Sequence, residues 1–212
     1  MASRETQSKI IAAAIRLFNE DGTERVSGAR IAEACGISKG NLHYHFPTRE
    51  ALILAIWGQI EAEIRDQWGN DAQQPTLVHM AELTQRQFRL IWRYRFLYRE
   101  LGPLLERDAE LCYRFRRLRM ERMGAIHAFF EALTDSGVLR PQHAPQALER
   151  LIKIAWIVTD YWISYIIADE RDIDMTSMQE GYELMLQLFD PFFTDKARSE
   201  IPDSFRAFRP DA

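Results

Sequence analysis

The chain has 212 residues, 47% of them apolar and 27% charged, with a formal net charge of −4. Such a composition fills one large core or two smaller ones and excludes an intrinsically disordered chain. Mild acidity excludes a protein that coats nucleic acid regardless of sequence, although a specific reader needs only local cations. Residues 1–50 carry seven Lys/Arg against six Asp/Glu, so the slight positive excess lies at the amino-terminal end. Cys35 and Cys112 stand far apart without a Cys-x-x-Cys neighbour, which predicts reduced structural thiols. Met1 to Ile10 is polar and does not read as a signal peptide. Leu151 to Ala168 is membrane-like, but Lys153 and Asp160 would each cost about 2.5–3.5 kcal/mol near a bilayer centre. A soluble, cytoplasmic protein is expected.

Apolar residues recur at helical spacing along nearly the whole chain, and no alternating strand pattern stands out. A first helix is predicted from about Thr6 to Glu20, with Ile10, Ile11, Ala14, Leu17 and Phe18 on one stripe and Asp21-Gly22 as its stop. Ser27 caps a second helix that buries Ile31, Ala32 and Cys35 and ends at Gly36. Ser38 caps a third, with Leu42 and Phe46 facing inward and Pro47 ending it. Thr48 caps a long fourth helix carrying Leu52, Ile53, Ile56, Trp57, Ile60 and Ile64. Gly69 to Pro75 is the best candidate for a domain boundary. Further helices are predicted over about Thr76–Tyr94 and Phe96–Leu101, the latter broken by Gly102-Pro103. Three more follow over about Asp108–Ser136, Pro145–Ala168 and Thr176–Phe193, with a partly ordered tail over 196–212. The fold class is all-α.

Val26 to Phe46 is the most informative stretch. Two short helices joined by a glycine turn form the unit that lays a recognition helix in the DNA major groove. With Leu42 and Phe46 anchoring the third helix, Lys39, Gly40, Asn41, His43, Tyr44 and His45 are left facing outward or sideways. Lys39 can reach phosphate or guanine, and Asn41, His43 and His45 offer hydrogen bonds to bases or backbone. Tyr44 can donate to phosphate while its ring packs on sugar or a thymine methyl. Gly40 lets the backbone approach closely. Helix amino ends at Ser38 and Thr48 favour phosphate. Arg49 is a cation in the first turn of a helix, an unfavourable place that a phosphate would explain.

These residues also resemble the DNA-binding domain of TetR-type transcriptional repressors. The matching pieces are Ile-Ile-Ala-Ala-Ala-Ile-Arg-Leu-Phe from Ile10, Asp21-Gly22, the run from Arg30 to Phe46, and Pro-Thr-Arg-Glu-Ala-Leu from Pro47. The resemblance covers about the first quarter of the chain; beyond it, Tyr94 to Leu101 is similar to the second domain of one subgroup. It implies base or backbone contacts from Lys39, Asn41, His43 and Tyr44, and phosphate contacts from Ser27, Ser38, Tyr44, His45 and Arg49. Gly28 departs from the Thr or Val common in the family, and His43 from an aromatic residue, usually Tyr. An all-α, two-domain protein follows: a helix-turn-helix domain over 1–50 and an effector-binding and dimerisation domain over 51–195. The last two helices would pair with their copies in a homodimer that binds a palindromic operator in double-stranded DNA until a small-molecule effector releases it.

Several weaker signals point elsewhere and do not displace this reading. Gly36-Ile37-Ser38-Lys39-Gly40 matches a nucleophile elbow, but that motif needs a strand leading into the turn. His43 and His45, two apart on a helix, point to nearly opposite sides, and His79, His127 and His143 are isolated, so no metal site is indicated. The basic run Arg114, Arg116, Arg117, Arg119 and Arg122 scatters around its helix, with Glu110 and Glu121 in pairing range, as a solvated, ion-paired surface would. In the second domain, one side of the apolar helix near 145–168 carries Ile154, Ile157, Tyr161 and Tyr165, which need a partner. Phe88, Trp92, Tyr113, Phe129 and Trp156, with Arg117 and His127 as polar partners, are candidates to bind an apolar or aromatic effector, although each also suits an ordinary core. No cofactor and no catalytic cluster are read from the chain. Two alternatives stay open: a helical interaction module that has lost DNA binding, and an all-α enzyme.

Overall fold

Helical periodicity becomes eleven α-helices and one 3-10 turn, with no β-strand among the described residues, in a computed structural model that describes residues 2–69, 75–141 and 147–199. In chain order the first four helices are α1 (Ala2–Asp21), α2 (Gly28–Cys35), α3 (Lys39–His45) and α4 (Arg49–Gly69). Then come α5 (Leu77–Arg93), α6 (Arg95–Arg99), α7 (Leu101–Arg107) and α8 (Ala109–Asp135). The last are α9 (Ala147–Ala168), α10 (Met175–Phe189), a 3-10 turn over Asp190–Phe192, and α11 (Asp195–Ser199). Most of the Gly69–Pro75 boundary candidate, the expected helix start at Pro145, His143, and the tail from residue 200 lie outside the described residues.

The chain divides into two compact units, one of Met1–Ile64 with Arg93–Phe115 and the other of Arg65–Trp92 with Arg116–Ala212. In the first unit α1 packs on α2 and α2 on α3. Ile10, Ala14, Leu17, Phe18, Ile31, Ala32, Leu42, Leu52, Ile53 and Ile56 are buried there. The turn between α2 and α3 depends on Gly36 in the left-handed region (φ 65°), a conformation that strains residues bearing a Cβ. Cys35, expected in the core, is only half-buried, its Sγ 3.7 Å from the Lys9 carbonyl oxygen.

In the same unit, α6 lies against the end of α1. Asn19 donates from Nδ2 to the Arg93 carbonyl (2.8 Å) and accepts from the Phe96 N–H (3.0 Å). Arg99 donates to the Phe18 carbonyl at 2.7 Å, a second donor beside the Gly22 N–H (2.9 Å), and to the Asn19 carbonyl at 3.5 Å. Glu100 accepts from the Thr23 backbone N–H (3.1 Å) and from its hydroxyl. Gly102-Pro103 does not break the chain as expected; it lies in the first turn of α7. Proline is tolerated there because the first-turn N–H groups have no intrahelical partner in any case.

The second unit packs α9 on α10. At Gly181 the packing is tight enough that a Cβ would come within 2.5 Å of Trp162 Nε1 and 2.6 Å of Phe88 Cε1. Trp162 donates its indole N–H to the Ser177 carbonyl (3.0 Å), while Phe88 meets Tyr182 edge-on and Phe130 stacks on Phe189 at 4.9 Å. Asp174 and Ser177 form a reciprocal cap at the start of α10. The turn after α8 is joined to the last residues by Arg140 N–H to the Phe192 carbonyl (2.7 Å) and Thr194 N–H to the Val138 carbonyl (3.0 Å). Gly181→Ala is expected to destabilise by about 1–3 kcal/mol, the usual cost of overpacking a filled core. Thermal unfolding checks this, and an unchanged midpoint would show that Trp162 and Phe88 can withdraw freely.

Candidate nucleic-acid interface and apolar cavity

The first site is the outer face of α3, seven residues held by a capped end and one buried anchor. The Ser38 hydroxyl accepts from the Asn41 N–H (3.1 Å), and Leu42 is buried. Phe46, expected as a second inward anchor, follows the helix as its cap and is only half-buried. Lys39, Gly40, Asn41, His43 and Tyr44 are exposed; Tyr44 has 81% of its surface free, and its ring meets His45 edge-on at 5.2 Å. Ser27 and Thr48 cap their helices in the same way, accepting from Arg30 N–H (3.3 Å) and Ala51 N–H (3.0 Å). A hydroxyl that accepts in a cap still has its own proton to donate, so these groups remain able to contact phosphate. Gly28, Lys39, His43 and Arg49 border one shallow recess between α2, α3 and the start of α4. A Cβ on Gly28 would sit 3.4 Å from Leu42 Cδ2, an ordinary-to-tight contact. Arg49 also has an acceptor within the chain, the Val26 carbonyl at 3.5 Å, so phosphate is not needed to explain its position.

The second site is a cavity of about 90 Å³ in the other unit, walled by residues of α5, α8, α9 and α10. Its lining is mostly apolar, including Met80, Leu83, Ile126, Phe129, Ile152 and Met185, with Gln87, Arg122, Thr84 and Thr159 as polar exceptions. Arg122 donates to the Gln87 side-chain oxygen at 3.0 Å. Its guanidinium and that of Arg119 lie 5.0 and 5.1 Å from the Trp156 ring centre, within cation–π range. Beside them Asp160 is buried. Burial pushes its carboxyl up to about 6, against the opposing pull of Arg119, Arg122 and a hydrogen bond with Trp156.

The comparisons with known proteins agree on the family. Residues 60–201 match the model of the TetR bacterial transcriptional repressors, and residues 10–56 match that of the tetR family of bacterial regulatory proteins. The chain belongs to the TetR family. Its relatives include the transcriptional regulator AcrR of Shigella flexneri, 29% identical over 92 residues, which are 39% of this chain and 43% of AcrR. The match therefore spans less than half of that relative's length. A TetR-family regulator from Marinobacter aquaeolei VT8 has the same fold throughout, with a TM-score of 0.85 and 26% identity over 96% of this chain and 98% of its own. A transcriptional regulator from Saccharomonospora viridis, solved in complex with choline, shares the fold at a TM-score of 0.71 with 16% identity, covering 88% of this chain and 96% of its own. TetR-family proteins are DNA-binding transcriptional regulators, and the helix-turn-helix and all-α architecture of this chain are those of the family.

Within this TetR-family chain, the residues singled out on α3 are exposed except for half-buried His45, whereas those singled out as effector contacts do not come together. Phe129 and Trp156 line the cavity. Phe88 is fully buried against Tyr182 and Gly181, and Trp92 is half-buried and does not line the cavity. Tyr113 belongs to the other unit and is 60% exposed. Arg117 pairs with Glu121, and His127 faces Glu131 at 3.4 Å, both on the surface. The basic run of α8 is not uniformly solvated as expected. Arg114 pairs with the buried Glu61, which also accepts from Trp57 Nε1 at 3.0 Å, while Arg119 and Arg122 turn to Trp156. Positions 115, 118, 119, 122 and 126 share one helical stripe, which carries these arginines inward beside Leu118 and Ile126. Gln87 and Arg122 were missed as cavity residues. The missed signal is a long polar side chain on the apolar stripe of each of two helices.

Asp160 gives a pH prediction. Its folded-state carboxyl titrates near 6, above the ordinary 3.8, so the fold favours the protonated form. The penalty is absent below about pH 3.8, grows as pH rises to about 6, and is constant above, reaching on the order of 3 kcal/mol. Asp160→Asn should therefore unfold at a higher temperature than the native chain, with a gap that widens from pH 4 to pH 6 and then levels. A gap that narrows over that range would refute the assignment.

Proposed function

We propose that the chain is a homodimeric, ligand-responsive repressor that binds a palindromic operator through α3 and leaves it when a small molecule fills the cavity of the second unit. The observation that carries this is that Lys39, Asn41, His43 and Tyr44 are all exposed on a short helix pinned at Ser38 and Leu42. Lys39 and Tyr44 would contact phosphate and groove, Asn41 and His43 base edges, and Ser27, Ser38, His45 and Arg49 the flanking phosphates, with Gly40 allowing close approach. Repression would be steric, an occupied operator blocking polymerase. The family consists of regulators and not enzymes, typically in the cytoplasm. Length and composition alone would let α9 cross a bilayer. Its buried Asp160 and Trp162, and its packing on α10, suit a core helix of such a regulator.

Dimerisation has its own support. Ile154, Ile157, Tyr161 and Tyr165 form one half-exposed side of α9, and Leu184 on α10 is likewise exposed. A second copy covering them would bury an apolar patch that a monomer leaves in water. Two reading heads about 34–36 Å apart would then meet successive turns of the major groove.

Two measurements test this reading. In gel-shift titrations with DNA flanking its own gene, Lys39→Ala combined with Tyr44→Ala should weaken binding at least tenfold and reduce the salt slope by about 1 to 2. An unchanged affinity and slope would remove α3 from the interface. In sedimentation, Ile157→Glu with Tyr161→Glu should convert a dimer to a folded monomer; a dimer that survives must use another face.

A further inference from the structure

The cavity's polar lining is Arg122, Gln87, Thr84 and Thr159, and the Arg122–Gln87 corner says which ligands it can hold. Resting on the effector-site reading above, we propose that the natural effector is an amphipathic monoanion, a carboxylate on a compact aliphatic or single-ring body, whose head group is received by Arg122. Three features carry this. First, a planar guanidinium presents paired donors that match a carboxylate's two oxygens, and here it sits on the wall of the cavity with its partner Gln87 buried beside it. Second, two guanidiniums flank Trp156 against one buried carboxylate, Asp160, so the local balance accepts one more negative charge and opposes a positive one. The cationic choline held by the Saccharomonospora viridis regulator is therefore the wrong class for this chain. Third, the cavity of about 90 Å³ equals roughly three water volumes and offers an apolar body only apolar walls. Met80 and Met185, unbranched and adaptable, can withdraw for a chain of several carbons. Thr84 and Thr159 direct their hydroxyls to their own helix carbonyls (2.8 Å to Met80 and 3.1 Å to Ala155), so the guanidinium is the stronger anchor.

Calorimetric titration of the full chain at pH 7.5 with sodium octanoate, octanamide and octylammonium chloride tests this. Octanoate should bind at least tenfold more tightly than octanamide, and octylammonium more weakly still. Arg122→Met should lower octanoate to the octanamide level while leaving octanamide unchanged, and Arg122→Lys should keep part of the preference; Arg122→Gln serves if the Met variant does not fold. Asp160→Asn should tighten octanoate several-fold and leave octanamide alone. Equal binding of acid and amide, or octanoate affinity indifferent to Arg122, overturns the anionic class while the cavity stands as a binding site. Ala155→Phe, which fills the cavity, should abolish binding of every probe. Octanoate binding that survives Ala155→Phe, or no binding of any of the three, overturns the effector-site reading and the anionic class with it.

Discussion

The end of α1 is where the first unit is held together. Helices terminate with carbonyls that have no partner of their own, and burying them unsatisfied costs about 1–3 kcal/mol each. Here the Asn19 carbonyl is met by Arg99 (3.5 Å), which also adds a second donor to the Phe18 carbonyl beside the Gly22 N–H, and the Asn19 side chain bonds to Arg93 and Phe96, while Glu100 takes the N–H and hydroxyl of Thr23. Phe18 and Phe96 pack beneath at 5.3 Å. Segments more than seventy residues apart in sequence are thereby locked to one helix terminus. On α4, Glu63 adds a second hold, accepting from the Tyr94 hydroxyl (2.7 Å) and from Arg93. The helix-turn-helix therefore does not stand on its own three helices; α6 is part of its support.

The proposed reading surface is built from capped helix ends. Ser27, Ser38 and Thr48 each spend a lone pair on a helix N–H, so the same hydroxyls that fix where α2, α3 and α4 begin still have a proton to offer. Position and chemistry are coupled: a helix that started one residue later would rotate its exposed side chains by about 100° and turn Lys39 and Asn41 away from a groove. A Cβ at Gly28 would meet Leu42, the buried residue of α3, at only an ordinary contact distance of 3.4 Å, so packing alone does not require glycine there.

The legibility of the chain followed how local each determinant is. Caps, glycine stops and apolar stripes act within a few residues, and α2, α3 and α4 lie where Ser27, Gly36, Ser38 and Thr48 place them. Gly102-Pro103 misled because the same dipeptide ends one helix or opens the next, and only Glu100, pulled onto Thr23, decides which. The cavity was the least legible part. Aromatic residues were singled out for their chemistry, yet Phe88 is wanted by Gly181 as packing and Tyr113 lies on a surface. Gln87 and Arg122 announce nothing singly; they form the cavity's charged corner when α5 and α8 bring them within 3.0 Å.

The apolar character of α9 follows from the same need to satisfy several neighbours at once. One side supplies Ile152, Ala155, Trp156 and Thr159 to the cavity. Another packs Trp162 over Gly181 of α10, and the Ile154–Tyr165 side remains half-exposed. A carboxylate in such a helix is costly, and Asp160 is kept only because Trp156, Arg119 and Arg122 surround it with donors and positive charge. A ligand anion arriving at Arg122, as proposed, would compete with Asp160 for that charge. Since α9 also carries the apolar side proposed to meet a second copy, cavity and dimer face would lie on one helix, so a change in how that helix packs would reach both.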